Sequence, residues 1–236
     1  MDIVKEVFDR RTLRTDKLIA YGFTPYVGGF SYTTTILDGQ FRVEVAVSER
    51  WVPSARVVDA FTEEEYAPVN VEMSTGAFVG SVRVAYRAAL TAIAEACSVR
   101  EYFSSDQGNR LAEAVYARYG ERPDFPFATA PTYGVFRYPV NRKWYGIVMD
   151  VRRCLVTKES TPCGEESPTV DVLNLKIDPS RRAELLATAG FYICYHMNKE
   201  GWISVVLNDT VADEEILALL HDSRNFVLPK KKRGAQ

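Results

Sequence analysis

Three segments in the second half of the chain, residues 143–151, 171–177 and 202–207, show the period-two alternation of side chains that predicts β-strands. One face of these strands is apolar and holds Tyr145, Ile147, Met149, Val151, Leu173, Leu175, Ile177, Ile203, Val205 and Leu207. The opposite face holds Trp144, Gly146, Asn174, Lys176, Trp202 and Ser204. Because helices can cover only one face of such a sheet, we expect the second set to lie on an open face. Aromatic rings beside bases and amides on an open sheet are typical of proteins that stack single-stranded nucleic acid.

From this face we predict a nucleic-acid-binding surface that also uses loops at 157–169 and 197–201 and a basic C-terminal tail. Its candidate residues are Lys143, Trp144, Arg152, Arg153, Lys158, Asn174, Lys176, His196, Asn198, Lys199, Trp202, Lys230, Lys231, Lys232 and Arg233. The basic side chains would contact phosphates, and the two tryptophans would stack on bases. Two other interpretations stay open. Trp144 and Trp202 could form a cross-strand pair that braces a half-exposed sheet, or the tryptophan-bearing face could dock a partner protein.

The net charge limits how strong such binding can be. The whole chain carries 29 Lys and Arg against 31 Asp and Glu, a formal charge of −2. Residues 1–104 contain 11 basic and 14 acidic residues, a net −3, and residues 105–236 contain 18 and 17, a net +1. Neither half is the strongly basic body of a tight, non-specific DNA-binding protein. We therefore expect few simultaneous phosphate contacts and weak binding at physiological salt.

The two histidines, His196 and His221, lack the surroundings of a catalytic base. A base needs a nucleophile or an orienting partner within reach. Ser204 and Asn198 are near His196 in sequence, but no G-x-S-x-G motif and no paired acid frames them. His221 falls in the last turn of a predicted helix, where the helix dipole favours a positive charge. We predict no catalytic residues and a protein that is not an enzyme.

The four cysteines, Cys97, Cys154, Cys163 and Cys194, are scattered without a CxxC pair. Cys97 and Cys194 fall within apolar helix and strand patterns, which is typical of buried reduced thiols. A disulfide between Cys154 and Cys163 is conceivable, but a cytoplasmic location disfavours it. Zinc would need closer spacing and histidine partners, and the paired glycines lack the ending of a phosphate loop. No metal and no cofactor is expected.

Composition and hydropathy indicate a folded protein outside the membrane. The chain is 47% hydrophobic and 25% charged, a balance that excludes wholesale disorder. No apolar run approaches the roughly 20 residues needed to cross a bilayer. The first residues include acids and lack the apolar core of a secretory signal. We expect a cytoplasmic location and no membrane partner.

Residues 1–104 predict a complete two-layer α+β sandwich of unknown role. Its predicted elements are, in order, a helix at 12–21, strands at 32–36, 41–47, 55–61 and 67–73, and a helix at 77–97. Gly22 is placed to end the first helix, and Asp38-Gly39 is a type I′ hairpin dipeptide. The apolar stripe of the last helix would cover one face of the antiparallel sheet.

A polar, turn-rich stretch at 104–108 marks the start of a second domain, residues 105–228. Its predicted elements are a helix at 109–119, strands at 132–138, 143–151, 170–177, 191–197 and 202–207, a helix between Asp178 and Gly190, and a last helix from Asp213. Residues 229–236 are expected to be a disordered basic tail. The predicted class is α+β: two two-layer sandwiches, each an antiparallel sheet with helices packed on one face.

The second domain resembles the MmcQ/YjbR family, a bacterial group of small α+β domains. The matching residues are Asn109-Arg110-Leu111, Tyr133-Gly134-Val135-Phe136-Arg137, Lys143-Trp144-Tyr145-Gly146, Asp171-Val172-Leu173-Asn174-Leu175-Lys176, Tyr195-His196-Met197-Asn198-Lys199 and Trp202-Ile203. The resemblance implies a frataxin-like, CyaY-like sandwich that is described as a double-wing DNA-binding motif. Residues 1–104 resemble the extra N-terminal domain of longer members.

The frataxin-like fold does not bring an iron site with it. Frataxins bind iron through an acid-rich first helix. The corresponding predicted helix at 109–119 has a single acid, Glu113. Metal delivery is therefore not expected of this chain.

Overall fold

In the computed structural model, residues 2–157, 163–164 and 166–229 are described. They form two compact units that divide between Glu101 and Tyr102, three residues before the expected boundary. Lys158 and the basic residues at 230–233 lie outside the described ranges, so their assignment to the binding surface stays a prediction, as does the disorder expected of the tail.

The N-terminal unit is built around an antiparallel sheet of order β2-β3-β4-β5. Its elements are α1 (Ile3–Val7), β1 (Arg11–Leu13), α2 (Thr15–Tyr21), β2 (Thr24–Tyr26), β3 (Gly29–Ile36), β4 (Phe41–Ser48), β5 (Pro53–Asp59), a 3-10 turn (Ala67–Val69), α3 (Ala77–Cys97) and β6 (Ser98–Arg100). One face of the sheet is buried against α3, which contributes Val82, Tyr86, Leu90 and Ile93 to the shared core. Asp38 and Gly39 both have positive φ, and Gln40 N donates to Leu37 O, as expected for the hairpin turn.

Two N-terminal predictions differ from the structure. The short helix expected over 12–21 begins at Thr15, because residues 11–13 pair with Ser98–Arg100 as a second, two-stranded sheet. The strand expected near 67–73 is wrong. A single 3-10 turn occupies Ala67–Val69 instead, and Pro68 within it has no N–H to give to a strand ladder.

α3 is long and apolar enough to count, by length and composition alone, as a candidate membrane span. One of its faces belongs to the core of the N-terminal unit, where Tyr86, Leu90 and Ile93 are buried. The same length and composition therefore suit the covering helix of a two-layer sandwich.

The C-terminal unit has a five-stranded antiparallel sheet of order β10-β11-β9-β8-β7. Its elements are α4 (Asp106–Tyr119), β7 (Gly134–Arg137), β8 (Trp144–Arg152), α5 (Cys154–Thr157), β9 (Thr169–Lys176), a 3-10 turn (Pro179–Arg181), α6 (Arg182–Ala187), β10 (Phe191–Ile193), β11 (Trp202–Val206) and α7 (Asp213–Phe226). Ser105 caps α4 by accepting a hydrogen bond from Gly108 N, and Gly120 ends it in the left-handed conformation. The α+β class with antiparallel sheets is confirmed.

One face of this sheet, which we call the helix face, forms the main core with α4 and α7. The strands contribute Tyr145, Val148, Leu173, Leu175, Ile203 and Val205, and the helices contribute Leu111, Val115, Ile216, Leu219 and Leu220. α6 ends at Ala187, before Gly190, which was expected to stop it. Gly190 has a φ of +92°, and a Cβ there would collide with Val211, so both the backbone and the packing require glycine.

A β-bulge at Tyr145 changes which residues of β8 face the helices. Phe136 pairs with Gly146 and Arg137 with Trp144, so Tyr145 is an extra residue in the ladder. Four residues of β8 were expected on one face. Of these, Tyr145 lies in the helix-face core, whereas Ile147, Met149 and Val151 belong to a core on the opposite face. Gly146 was expected on that opposite face but lies beneath Leu220, on the helix face.

The opposite face, which we call the second face, is not open. Its strand residues include Val135, Ile147, Met149, Val151, Val172 and Val206, all buried. Ring side chains of Phe127, Tyr133, Tyr192 and Tyr195 pack against them, together with Val156 of α5. The expectation of an uncovered sheet face is therefore wrong. Because the bulge turns three large apolar side chains of β8 to this side, the face needs an apolar cover of its own.

Candidate functional site

The candidate residues fall at two opposite ends of the C-terminal sheet. Lys143, Lys176 and Lys199 lie where β8 and β11 begin and β9 ends, and we call this end the lysine edge. Arg152 and Arg153 lie at the far end of β8. At about 3.3 Å per residue, the nine steps from Lys143 to Arg152 separate the two ends by about 30 Å. The structure therefore brings together one part of the predicted site and separates the other.

Lys176 and Trp202 are directly opposite each other on β9 and β11. The Lys176 ammonium nitrogen lies 4.3 Å from the centre of the Trp202 ring, a cation–π contact. Trp202 is only 8% exposed. A base can stack on this face of the ring only if it displaces Lys176. The exposure expected of Trp202 is therefore wrong, and its stacking role stays a prediction.

Trp144 is half-buried at the other side of β9. Its ring meets Phe127 edge-on at 5.7 Å between centroids, and the Arg137 guanidinium lies 5.3 Å from its centre. The open interpretation of Trp144 and Trp202 as a cross-strand pair fails, because β9 lies between the two strands that carry them. Each tryptophan instead contacts a basic side chain on an adjacent strand: Trp144 contacts Arg137 of β7, and Trp202 contacts Lys176 of β9.

Asn174 and Ser204 form a buried polar pair between β9 and β11. Ser204 Oγ donates to Asn174 Oδ1 at 2.6 Å, and Asn174 Nδ2 donates to the Tyr195 carbonyl at 2.6 Å. Ser204 Oγ also accepts from Tyr195 N at 2.9 Å. Neither side chain is exposed, so the expected position of Asn174 on an open face is wrong, and its nucleic-acid contact stays a prediction. The pair satisfies two backbone groups of Tyr195 and holds the following loop over the second face.

The loop at 194–201 presents three candidate residues to solvent. His196 is exposed in the left-handed region with φ of +59°, and its ring lies 4.0 Å from that of Tyr195. Asn198 Oδ1 accepts from Glu200 N and Gly201 N, so its side chain shapes the turn. The Lys199 carbonyl accepts from Arg182 Nε at 2.8 Å, and Lys199 itself is exposed. The loop leads into Trp202 and carries two exposed groups: Lys199, which belongs to the lysine edge, and His196.

The electrostatics of the lysine edge differ from those of its surroundings. Arg137 and Arg142 share Asp124, and Arg224 is paired with Glu121. Across the described residues, Lys143, Lys176 and Lys199 form no such ion pair. Burial, followed by the positive charge of Lys143, lowers the pKa of Lys176. The positive charge of Lys143 therefore disfavours the charged form of Lys176, an effect that a bound anion would oppose.

At the far end of β8, Arg152 Nη1 donates to the Gly164 carbonyl at 3.3 Å. Next to it, Cys154 and Cys163 form a disulfide with their Cα atoms 5.4 Å apart. The sequence left this bond open and disfavoured it. The turn of α5, which begins at the disulfide residue Cys154, was not predicted, since its four residues are too few to show a helical period.

A buried charged cluster beside the helix face was also not predicted from the sequence. Glu121 accepts from the Tyr145 hydroxyl at 2.7 Å and from the guanidinium of Arg224. Arg224 lies over the rings of Tyr119 and Tyr138 at 4.3 and 4.8 Å. No spacing in the sequence links these residues, and Glu121 is paired with both Tyr145 and Arg224. The cluster stabilises the fold rather than forming a ligand site.

The family match of this chain lies in the C-terminal unit. A family model described as YjbR matches residues 116–226. The uncharacterized protein YyaQ of Bacillus subtilis (strain 168) is 38% identical over 109 residues, which cover 46% of this chain and 87% of YyaQ. The chain belongs to the YjbR family. The lysine edge, both ends of β8 and the disulfide all lie inside the YjbR match, whereas the N-terminal unit lies outside it.

Solved structures also resemble the YjbR part of the chain. A Pseudomonas syringae protein, known from a crystal and a solution NMR structure, is 34% and 32% identical. These cover 50% and 55% of this chain and 97% and 98% of their own, each with a TM-score of 0.46. A Deinococcus radiodurans protein is 22% identical, covering 58% of this chain and 86% of its own, with a TM-score of 0.36.

Proposed function

We propose that the YjbR unit of this chain is a binding protein rather than an enzyme, and that it contacts the phosphates of nucleic acid at the lysine edge. The observation that carries the proposal is that Lys143 and Lys176 lie at the same end of the sheet, where the positive charge of Lys143 acts on Lys176 and neither lysine forms an ion pair among the described residues. A phosphate placed there would neutralise both charges and remove their repulsion. Lys199 would add a third contact from the loop that precedes β11.

Base stacking contributes little to the affinity proposed here for nucleic acid. Trp202 is buried beneath Lys176, and Trp144 is held between Phe127 and Arg137. The exposed ring at this end is His196, which leaves at most one stacking contact from the candidate residues. Phosphate contacts therefore supply most of the affinity, and the unit discriminates weakly between sequences.

Binding is expected to be weak and to depend strongly on salt. Three lysines allow few phosphate contacts, and the second half of the chain has a net charge of only +1. Dissociation constants of about 10⁻⁴ to 10⁻⁶ M are typical of such non-specific contacts at physiological salt. The basic tail would raise the affinity without being the site itself.

Fluorescence anisotropy with labelled single- and double-stranded oligonucleotides, at several salt concentrations, tests the proposal. The full chain and a variant truncated after Pro229 serve as a matched pair. We expect both to bind, with a smaller salt dependence for the truncated chain. No binding by the full chain at low salt would end the proposal and favour a protein partner. Binding lost entirely with the tail would show that the folded unit is not the binding site.

A further inference from the structure

The four cysteines divide into one accessible pair and two inert thiols. Cys154 is half-buried, Cys163 is exposed, and the two form a disulfide. Cys97 and Cys194 are free and buried. Burial raises the pKa of each of these two thiols to about 11, so they stay protonated near neutral pH. Thiol chemistry on the folded protein is therefore directed to Cys154 and Cys163.

The disulfide holds a structural element that has little stability of its own. α5 is a single turn, far shorter than helices that persist without tertiary contacts. Val156 anchors it in the core of the second face, and Arg153 N donates to the Pro168 carbonyl at 2.9 Å. The disulfide adds a covalent link from the first residue of α5 to the chain that returns towards β9. Gly164, next to that link, accepts the hydrogen bond from Arg152.

We propose that Cys154 and Cys163 are a reversible thiol–disulfide site that reacts with low-molecular-weight disulfides and controls how firmly α5 packs on the second face. With glutathione disulfide as the oxidant, one cysteine thiolate attacks a sulfur atom, the glutathione S–S bond breaks, and one glutathione thiolate leaves. The second cysteine thiolate then attacks the protein sulfur of the mixed disulfide and displaces the other glutathione. The protein loses two electrons and two protons, and glutathione disulfide is reduced to two glutathione molecules.

Exposure and charge indicate which thiol attacks first. Cys163 is exposed, whereas Cys154 is half-buried. Arg152 Nη1 donates to the carbonyl of Gly164, the residue after Cys163, and a neighbouring cation favours a thiolate. Cys163 is therefore the attacking thiol, and Cys154 is the resolving one. A dithiol reductant runs the same steps in reverse.

Thiol labelling of the folded full chain tests the reaction. After treatment with dithiothreitol, we expect N-ethylmaleimide to label Cys154 and Cys163, and to label Cys97 and Cys194 only after unfolding. Excess glutathione disulfide should remove both labelling sites and lower the intact mass by two hydrogen atoms, and a second reduction should restore them. A pair that stays reduced, or that stops at a mixed glutathione disulfide, would overturn the proposal.

Hydrogen–deuterium exchange tests the coupling to α5. Reduction should raise the exchange rates of amides in residues 153–157 by about tenfold or more, as for a locally opened segment. Amides of β9 and β11 should be unchanged. Cys163→Ser should match the reduced protein with or without oxidant, and the reduced wild-type chain gives the same comparison if that variant does not fold. Equal exchange in both redox states would contradict the link between the disulfide and α5. None of these results depends on nucleic acid.

Discussion

The two faces of the C-terminal sheet are buried by different means. On the helix face, strand residues such as Leu173 and Leu175 pack against two amphipathic helices, α4 and α7. On the second face, a smaller core is covered by aromatic rings, one helical turn and a loop held by Asn174 and Ser204. The helix-face core is stabilised mainly by buried apolar area, whereas the cover of the second face is held by a few specific polar contacts.

The charged groups beside the two faces differ in the same way. Next to the helix face, Glu121 is paired with Arg224, and Arg110 is paired with Asp209 and Asp213. At the margin of the second face, Lys143, Lys176 and Lys199 have no described acidic partner. Charges that stabilise the fold are neutralised within it, whereas charges available to a ligand are not. This contrast, more than any single residue, is the reason why we propose the nucleic-acid contact at the lysine edge.

The largest effect is expected from a cavity on the helix face. Leu175→Ala should lower the free energy of unfolding by about 3 kcal/mol, because a fully buried leucine leaves a space that the rigid sheet cannot close. Urea denaturation measures the loss. A loss below about 1 kcal/mol would mean that the helix face is not the dominant core.

A smaller loss is expected from the polar pair of the second face. Asn174→Ala should cost about 2 kcal/mol, since it leaves the Tyr195 carbonyl and the Ser204 hydroxyl without their buried partner. Asn198→Ala, which removes an exposed amide from the loop at 194–201, is the matched control. It should lower the free energy of unfolding by less than about 1 kcal/mol. Equal losses for the two variants would show that the loop is not held by Asn174.

The smallest stability effect concerns pH and the ion pairs beside the helix face. A hydrogen bond from Arg110 lowers the pKa of Asp213. Ionised Asp213 therefore contributes to folding stability above its unfolded-state pKa, and this contribution is lost as pH falls through its folded-state pKa. The unfolded-state pKa of Asp is about 3.9. The stability difference between the wild-type chain and Asp213→Asn should therefore shrink between pH 7 and pH 3 in urea titrations. A difference that grows on acidification would have the wrong sign.

Much of the fold could be predicted because its elements carry strong local signals. The apolar stripe of α3, the Asp38-Gly39 turn and the caps of α4 each follow from residues close in sequence. The bulge at Tyr145 has no such signal, since the alternation of β8 continues through it while the ladder shifts by one residue. That single shift turned Ile147 and Met149 to the second face and made an open face impossible.

The candidate site was predicted in part for the same reason. The lysines and the exposed loop residues depend only on where strands begin and end, and their positions at one edge follow from topology. The burial of Asn174 involves a hydrogen bond to Tyr195, and that of Trp202 involves Lys176 on the neighbouring strand; both contacts join residues more than 20 positions apart. The separation of Arg152 from Lys143 follows from the length of β8 alone.

The central claim is that nucleic acid binds at the lysine edge and not at the other end of β8. Two double variants, Lys143→Gln with Lys176→Gln and Arg152→Gln with Arg153→Gln, each remove two positive charges. Their affinity for a single-stranded oligonucleotide is measured by fluorescence anisotropy as a function of salt. The account predicts that the lysine variant loses about 1.4 from the slope of log K against log salt, at about 0.7 per phosphate contact, and that the arginine variant keeps the wild-type slope. Equal slopes for the two variants, or a loss confined to the arginine variant, would contradict it.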